Sequence, residues 1–96
     1  MKTIYKYVVP HDGTEIQMPI GAEILTVAMQ VGEIYIWAIV DTDNKFETRK
    51  FIAQATGREM PEGKLKYIGT VFIGTMLMEL VFHVFEKLKE LQWKKK

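Results

Sequence analysis

Cysteine and serine are both absent from the 96-residue chain. That excludes disulfides, Cys-based zinc sites, a thiol nucleophile and a serine nucleophile. Arginine occurs only twice, at Arg49 and Arg58, and histidine only twice, at His11 and His83. The histidines lie in different segments, and on a strand His83 and Glu86 point to opposite faces, so no metal site is expected. Charge of one sign is also missing: 13 Lys+Arg against 12 Asp+Glu leave +1. General nucleic-acid binders carry a clear basic excess, which this chain lacks. The start, Met1 to Lys6, has no apolar signal core, so a cytoplasmic protein is expected.

One apolar run invites a membrane reading. Tyr67 to Phe85 is 19 residues long, close to what a bilayer requires. Glu79 and His83 interrupt it, and a charge at the bilayer centre costs about 2.5–3.5 kcal/mol. Gly69, Gly74 and a predominance of Val, Ile and Phe favour two strands with a turn near Gly74–Met76.

What is present is apolar: 48% of the residues. The length suits one domain, which at this size buries about 60–65% of its unfolded surface. Alternating and β-branched segments predict strands at 2–9, 15–18, 23–31, 34–41, 46–56, 66–73 and 77–86. In the third, Leu25, Val27, Met29 and Val31 are expected on one face. In the fourth, Ile34, Ile36, Ala38 and Val40 share one face, and Tyr35, Trp37 and Ile39 the other. A strand apolar on both faces needs cover on both. In the fifth, Phe51, Ala53 and Ala55 should point inward, and Thr48, Lys50, Ile52 and Gln54 outward. Asp41-Thr42-Asp43-Asn44 lacks the glycine and closing glutamate of a calcium loop and predicts a turn held by Asp and Asn side chains. Leu88, Leu91 and Trp93 can make one face of a short helix.

The expected fold is all-β: a curled antiparallel sheet, or a small barrel or sandwich, of about six or seven strands. Residues 1–86 form one β-rich domain, and 87–96 a basic C-terminal tail or short helix. From Glu86 onward the chain carries +3, and the rest −2. Lys94-Lys95-Lys96 is a solvated end, with a weak nucleic-acid or anionic-membrane contact as the alternative.

No catalytic constellation is visible: Glu59 and Glu62 flank a proline in a loop, and no activating base stands beside a threonine. The chain is therefore expected not to be an enzyme, and no cofactor is predicted. Binding chemistry is better represented. Arg49 falls on the inward parity with Phe51, toward the interior or a pocket rim, and Arg58 follows Gly57, which permits close backbone approach to a ligand. With Lys50, Trp37, Tyr67 and Thr70 they form the candidate ligand-binding set, suited to a nucleotide: guanidiniums for phosphate, a ring for a base. The plainer alternatives are that Arg49 pairs with Glu47 or Asp41 and that Trp37 is core.

Tyr5-Lys6-Tyr7, Met18-Pro19-x-Gly21-Ala22-x-Ile24-Leu25 and Trp37-Ala38-x-Val40-Asp41-Thr42 resemble a family of small phage- and prophage-encoded proteins of unknown function. Glu47-x-Arg49-x-Phe51, Thr56-Gly57, Tyr67-Ile68-Gly69-Thr70 and Leu80-Val81-Phe82-His83-Val84-Phe85-Glu86 extend the resemblance over about residues 1–86. It supplies no catalytic residues. What it implies is a small accessory protein that counteracts host antiviral immunity by sequestering a nucleotide-derived signal, a cyclic dinucleotide or an ADP-ribose-type compound, as a homo-oligomer. The alternative is an inhibitor of a host protein or a phage structural accessory protein.

Overall fold

A computed structural model of the chain describes residues 1–10, 14–74 and 77–89. Seven strands fill these residues: β1 (Lys2–Val9), β2 (Thr14–Pro19), β3 (Glu23–Gln30), β4 (Glu33–Asp41), β5 (Phe46–Ala55), β6 (Leu65–Gly74) and β7 (Glu79–Lys87). All strand pairs are antiparallel. They form two open sheets, a three-stranded one ordered β1-β4-β3 and a four-stranded one ordered β2-β5-β7-β6. The expected all-β fold is therefore correct. No helix occurs among the described residues, so none there is long and apolar enough to cross a membrane. Lys87 closes β7, Leu88 and Lys89 are not helical, and Leu91, Trp93 and Lys94–Lys96 lie outside the described residues.

The two inner faces meet in one core. From the three-stranded sheet come Val9, Ile34, Ile36, Ala38 and Val40, all essentially sealed from water. From the four-stranded sheet come Ile16, Met18, Phe51, Ala53, Val71 and Val84. Period-two alternation accounts for this: every second residue of β4 is buried, and Tyr35, Trp37 and Ile39 on the reverse are only partly covered. Gly69 lies at a close approach between the sheets. A Cβ there would lie 2.6 Å from Cγ1 of Val27, so only glycine admits β3 this near β6.

β3 departs from simple alternation. A register shift between Ile24 and Thr26 lets Ile24, Val27 and Met29 pack on the core while Leu25 is exposed. The expected single face of Leu25, Val27, Met29 and Val31 is thus corrected at both ends: the bulge turns Leu25 outward, and Val31 belongs to the turn. Val31 (φ 51°) and Gly32 (φ 78°) form a two-residue connection in which both residues are left-handed, the geometry that follows strand twist. Val31 holds it while 96% exposed.

The Asp41–Asn44 turn is held as its composition predicts. Asp43 N–H donates to Asp41 Oδ1 (3.1 Å), and Asn44 Nδ2 donates to the Ile20 carbonyl (2.9 Å), tying the two neighbouring connections together. The backbone bond from Asp43, together with the terminal ammonium of Met1, holds the Asp41 carboxyl below the usual carboxylate range.

β5 and β6 both pair antiparallel with β7, so they run parallel to each other with β7 between them. Residues 56–64 must therefore travel back along the sheet. Gln54 Nε2 donates to the Glu59 carbonyl, and Gly63 lies against the Lys87 stem. Gln54 and Lys87 both have the parity opposite to buried Phe51 and Glu86, so the segment crosses the outer face.

Candidate functional site

The outer face of the four-stranded sheet is built of rows, because residues directly opposite on antiparallel neighbours point the same way. Lys50, Lys87 and Leu65 make the first row. Ile52, Phe85 and Tyr67 make the second, and Gln54, His83 and Thr70 the third. Successive rows are two residues apart along β5 and β7, about 7 Å, and on β6 the register shift sets Tyr67 and Thr70 three apart.

Each row has its own chemistry. The first sets two lysines directly opposite each other, an unfavourable pairing on its own. In the second, the Tyr67 and Phe85 rings meet edge to face with centroids 5.6 Å apart, and Tyr67 is 56% exposed. The third is a hydrogen-bond chain. Tyr67 Oη and Thr70 Oγ1 lie 2.5 Å apart, Thr70 Oγ1 is 3.0 Å from His83 Nδ1, and His83 Nε2 is 2.7 Å from Thr56 Oγ1. His83 thus sits within the sheet with a threonine hydroxyl on each ring nitrogen.

Four of the six candidate ligand residues belong to this face or its crossing segment: Lys50, Tyr67 and Thr70 in the rows, and Arg58 at the start of residues 56–64. Arg58 is exposed, its N–H bonded to the Ala55 carbonyl. That bond keeps it near Ala55, the end of β5, six residues or about 20 Å of extended strand from Arg49, and Arg58 does not line the concavity that Arg49 lines.

Arg49 and Trp37 lie elsewhere. Arg49 points inward, as its parity with Phe51 requires, and its Nε and Nη2 donate to Glu86 Oε2 (2.7 Å) and Oε1 (2.9 Å). Nη1 donates to the Ala22 carbonyl (2.6 Å). Glu86 keeps only 9% of its side chain exposed and Arg49 16%, and the carboxylate raises the guanidinium pKa further. Burying such ions costs several kcal/mol each, which the forked pair and the carbonyl offset. Arg49 is therefore held in a largely buried ion pair, and its partner is Glu86, neither Glu47 nor Asp41. Trp37 sits on β4 in the other sheet, on its outer face, 6.2 Å from the Tyr35 ring centroid. Lys6 Nζ lies 4.5 Å over Tyr35 and donates to Gln30 Oε1 (2.9 Å).

The alternation signal was strong enough to find Glu86. Its parity with Val84 and Phe82 places a carboxylate inward, where a cation of matching parity must meet it. Lys87, Lys89 and Gly63 were not singled out. They line a concavity of about 570 Å³ together with Glu15, Glu47, Thr48, Arg49, Lys50, Glu86 and Leu88. Among the described residues no three His, Asp or Glu gather as a metal would need. The basic run Lys94–Lys96 lies outside the described residues.

The fold and this face define a small two-sheet antiparallel β protein with a polar and aromatic outer face on its larger sheet. The chain belongs to a family described as a domain of unknown function, DUF7352, whose model matches residues 1–94. Neither the curated proteins nor the solved structures include a significant match.

Proposed function

We propose that the protein is a binding protein without catalysis of its own, and that it sequesters a nucleotide-derived signal on the outer face of the four-stranded sheet. The observation that carries this reading is the register of the three rows: ammonium groups, then rings, then hydrogen-bonding groups, at steps of about 7 Å. A nucleotide offers the same sequence of chemistry in phosphate, base face and base edge. The resemblance to small phage-encoded proteins supports a role in the host cytoplasm, against antiviral immunity. The candidate ligands are cyclic dinucleotides and ADP-ribose-type compounds.

The proposal includes a homo-oligomer. Ile4, Val8 and Leu25 are exposed on the three-stranded sheet, whose outer face also carries Tyr35 and Trp37, and a second copy would cover this apolar surface. Sedimentation at micromolar concentration is expected to give a species heavier than 11.2 kDa. The same surface supports the second reading, an inhibitor of a host protein or a structural accessory protein.

Thermal shift against a panel of cyclic dinucleotides and ADP-ribose derivatives tests the leading reading. At least one ligand is expected to raise the midpoint, and Tyr67→Ala to abolish the rise. No shift with any of them, in intact protein, would sink it.

A further inference from the structure

The concavity at the lysine end of the outer face has more to say about the ligand. Lys50 and Lys87 are directly opposed across β5 and β7, and Lys89 lines the same space. Three ammonium groups on one rim repel one another unless acidic groups neutralise them closely. The carboxylates present do so poorly. Lys50 Nζ is 3.8 Å from Glu15 Oε2, and Lys89 Nζ is 3.9 Å from Glu47 Oε1. Charge-assisted hydrogen bonds are about 2.7–2.9 Å, so these are ion pairs at the long end of the range, looser than hydrogen-bonded ones. Lys87 is partly buried and, among the described residues, has no carboxylate within ion-pair distance.

The crossing segment is shaped around Lys87. Gly63 has φ +108°, a conformation open to glycine, and a Cβ there would stand 3.0 Å from Lys87 Cε. The backbone thus lies on the lysine stem, and both residues line the concavity. Beneath it, Arg49 and Glu86 neutralise each other and do not compete for an incoming anion.

We propose that this concavity is a diphosphate site, with Lys87 at its centre and Lys50 and Lys89 flanking it. The inference rests on the nucleotide reading and selects within it. Two adjoining phosphoryl groups present several anionic oxygens to one cluster. The two phosphodiesters of a cyclic dinucleotide are held apart by the riboses of the ring, so they present their oxygens less closely together than a diphosphate does. The ligand class is therefore a nucleoside diphosphate derivative of the ADP-ribose type. Its diphosphate lies on the lysine row, which adjoins the Tyr67–Phe85 row about 7 Å along the strands.

Calorimetric titration of the intact protein with inorganic pyrophosphate, ADP-ribose and cyclic di-AMP decides it. Pyrophosphate is expected to bind, and ADP-ribose to bind more tightly. Lys87→Ala should weaken both by about tenfold or more. Lys6→Ala, an equal charge change on the other sheet, should leave both within about twofold. Circular dichroism of each variant confirms that it is folded. Pyrophosphate binding that Lys87→Ala weakens, without any gain for ADP-ribose, would uphold the anion site and overturn the nucleotide reading. Cyclic di-AMP binding that is indifferent to Lys87→Ala would overturn the diphosphate site and leave the nucleotide reading standing. Pyrophosphate binding equally weakened by Lys6→Ala would reduce the site to diffuse charge and overturn it.

Discussion

The two sheets face one core but are finished differently. The three-stranded sheet contributes a wholly apolar inner face on β4, and its outer face is also largely aliphatic and aromatic. The four-stranded sheet buries an ion pair on its inner face and sets lysines, rings and hydroxyls in rows on its outer one. The difference separates stability from recognition. An apolar face stabilises by area alone, about 25 cal/mol per Å². A face carrying placed charges stabilises less and specifies more, because each group has a geometric requirement.

The largest way to break that contrast is at the buried pair. Glu86→Leu leaves the Arg49 guanidinium inward without its carboxylate, and a loss of about 3–5 kcal/mol is expected in urea denaturation. The double variant Arg49→Met with Glu86→Leu should recover most of it, since the four-stranded sheet would then resemble its partner. A double variant as unstable as the single would mean that packing, not charge, sets the cost.

The seam between the sheets is the next target. Gly69→Ala forces a methyl against Val27 and should cost about 1–3 kcal/mol. Adding Val27→Ala should return part of this, measured by the non-additivity of the pair. Simple additivity would show that the contact does not set the sheet separation.

The smallest effect lies at the β3–β4 turn and has the opposite sign. Val31 is β-branched, left-handed and exposed, a combination that costs about 1–2 kcal/mol. Val31→Asn creates the favoured Asn-Gly pair and should stabilise by about 1 kcal/mol, seen as a raised thermal midpoint. A lowered midpoint would mean that the exposed valine has a contact of its own to lose.

The strands were legible because alternation is local: each of the seven expected segments overlaps an observed strand, and the faces of β4 and β5 follow parity. The bulge after Ile24 was not, because it depends on fitting β3 to β4 and to the other sheet. An isolated glycine inside a strand, as at Gly69, does signal such irregularity, and the register shifts between Tyr67 and Gly69. The site was half legible. Lys50, Tyr67 and Thr70 share a face by parity, but which strands lie beside them is a long-range matter. Trp37 was joined to them by residue type alone, and its strand belongs to the other sheet.

The position of β7 has a consequence for synthesis. It leaves the ribosome after β5 and β6, yet both need it as their common neighbour. Until it arrives, each of those strands offers an unpaired edge, the feature that leads to wrong pairing between chains. The nascent protein therefore passes through an interval in which the lysine, ring and imidazole rows do not exist. The recognition surface and the closing of the larger sheet come into being in the same event.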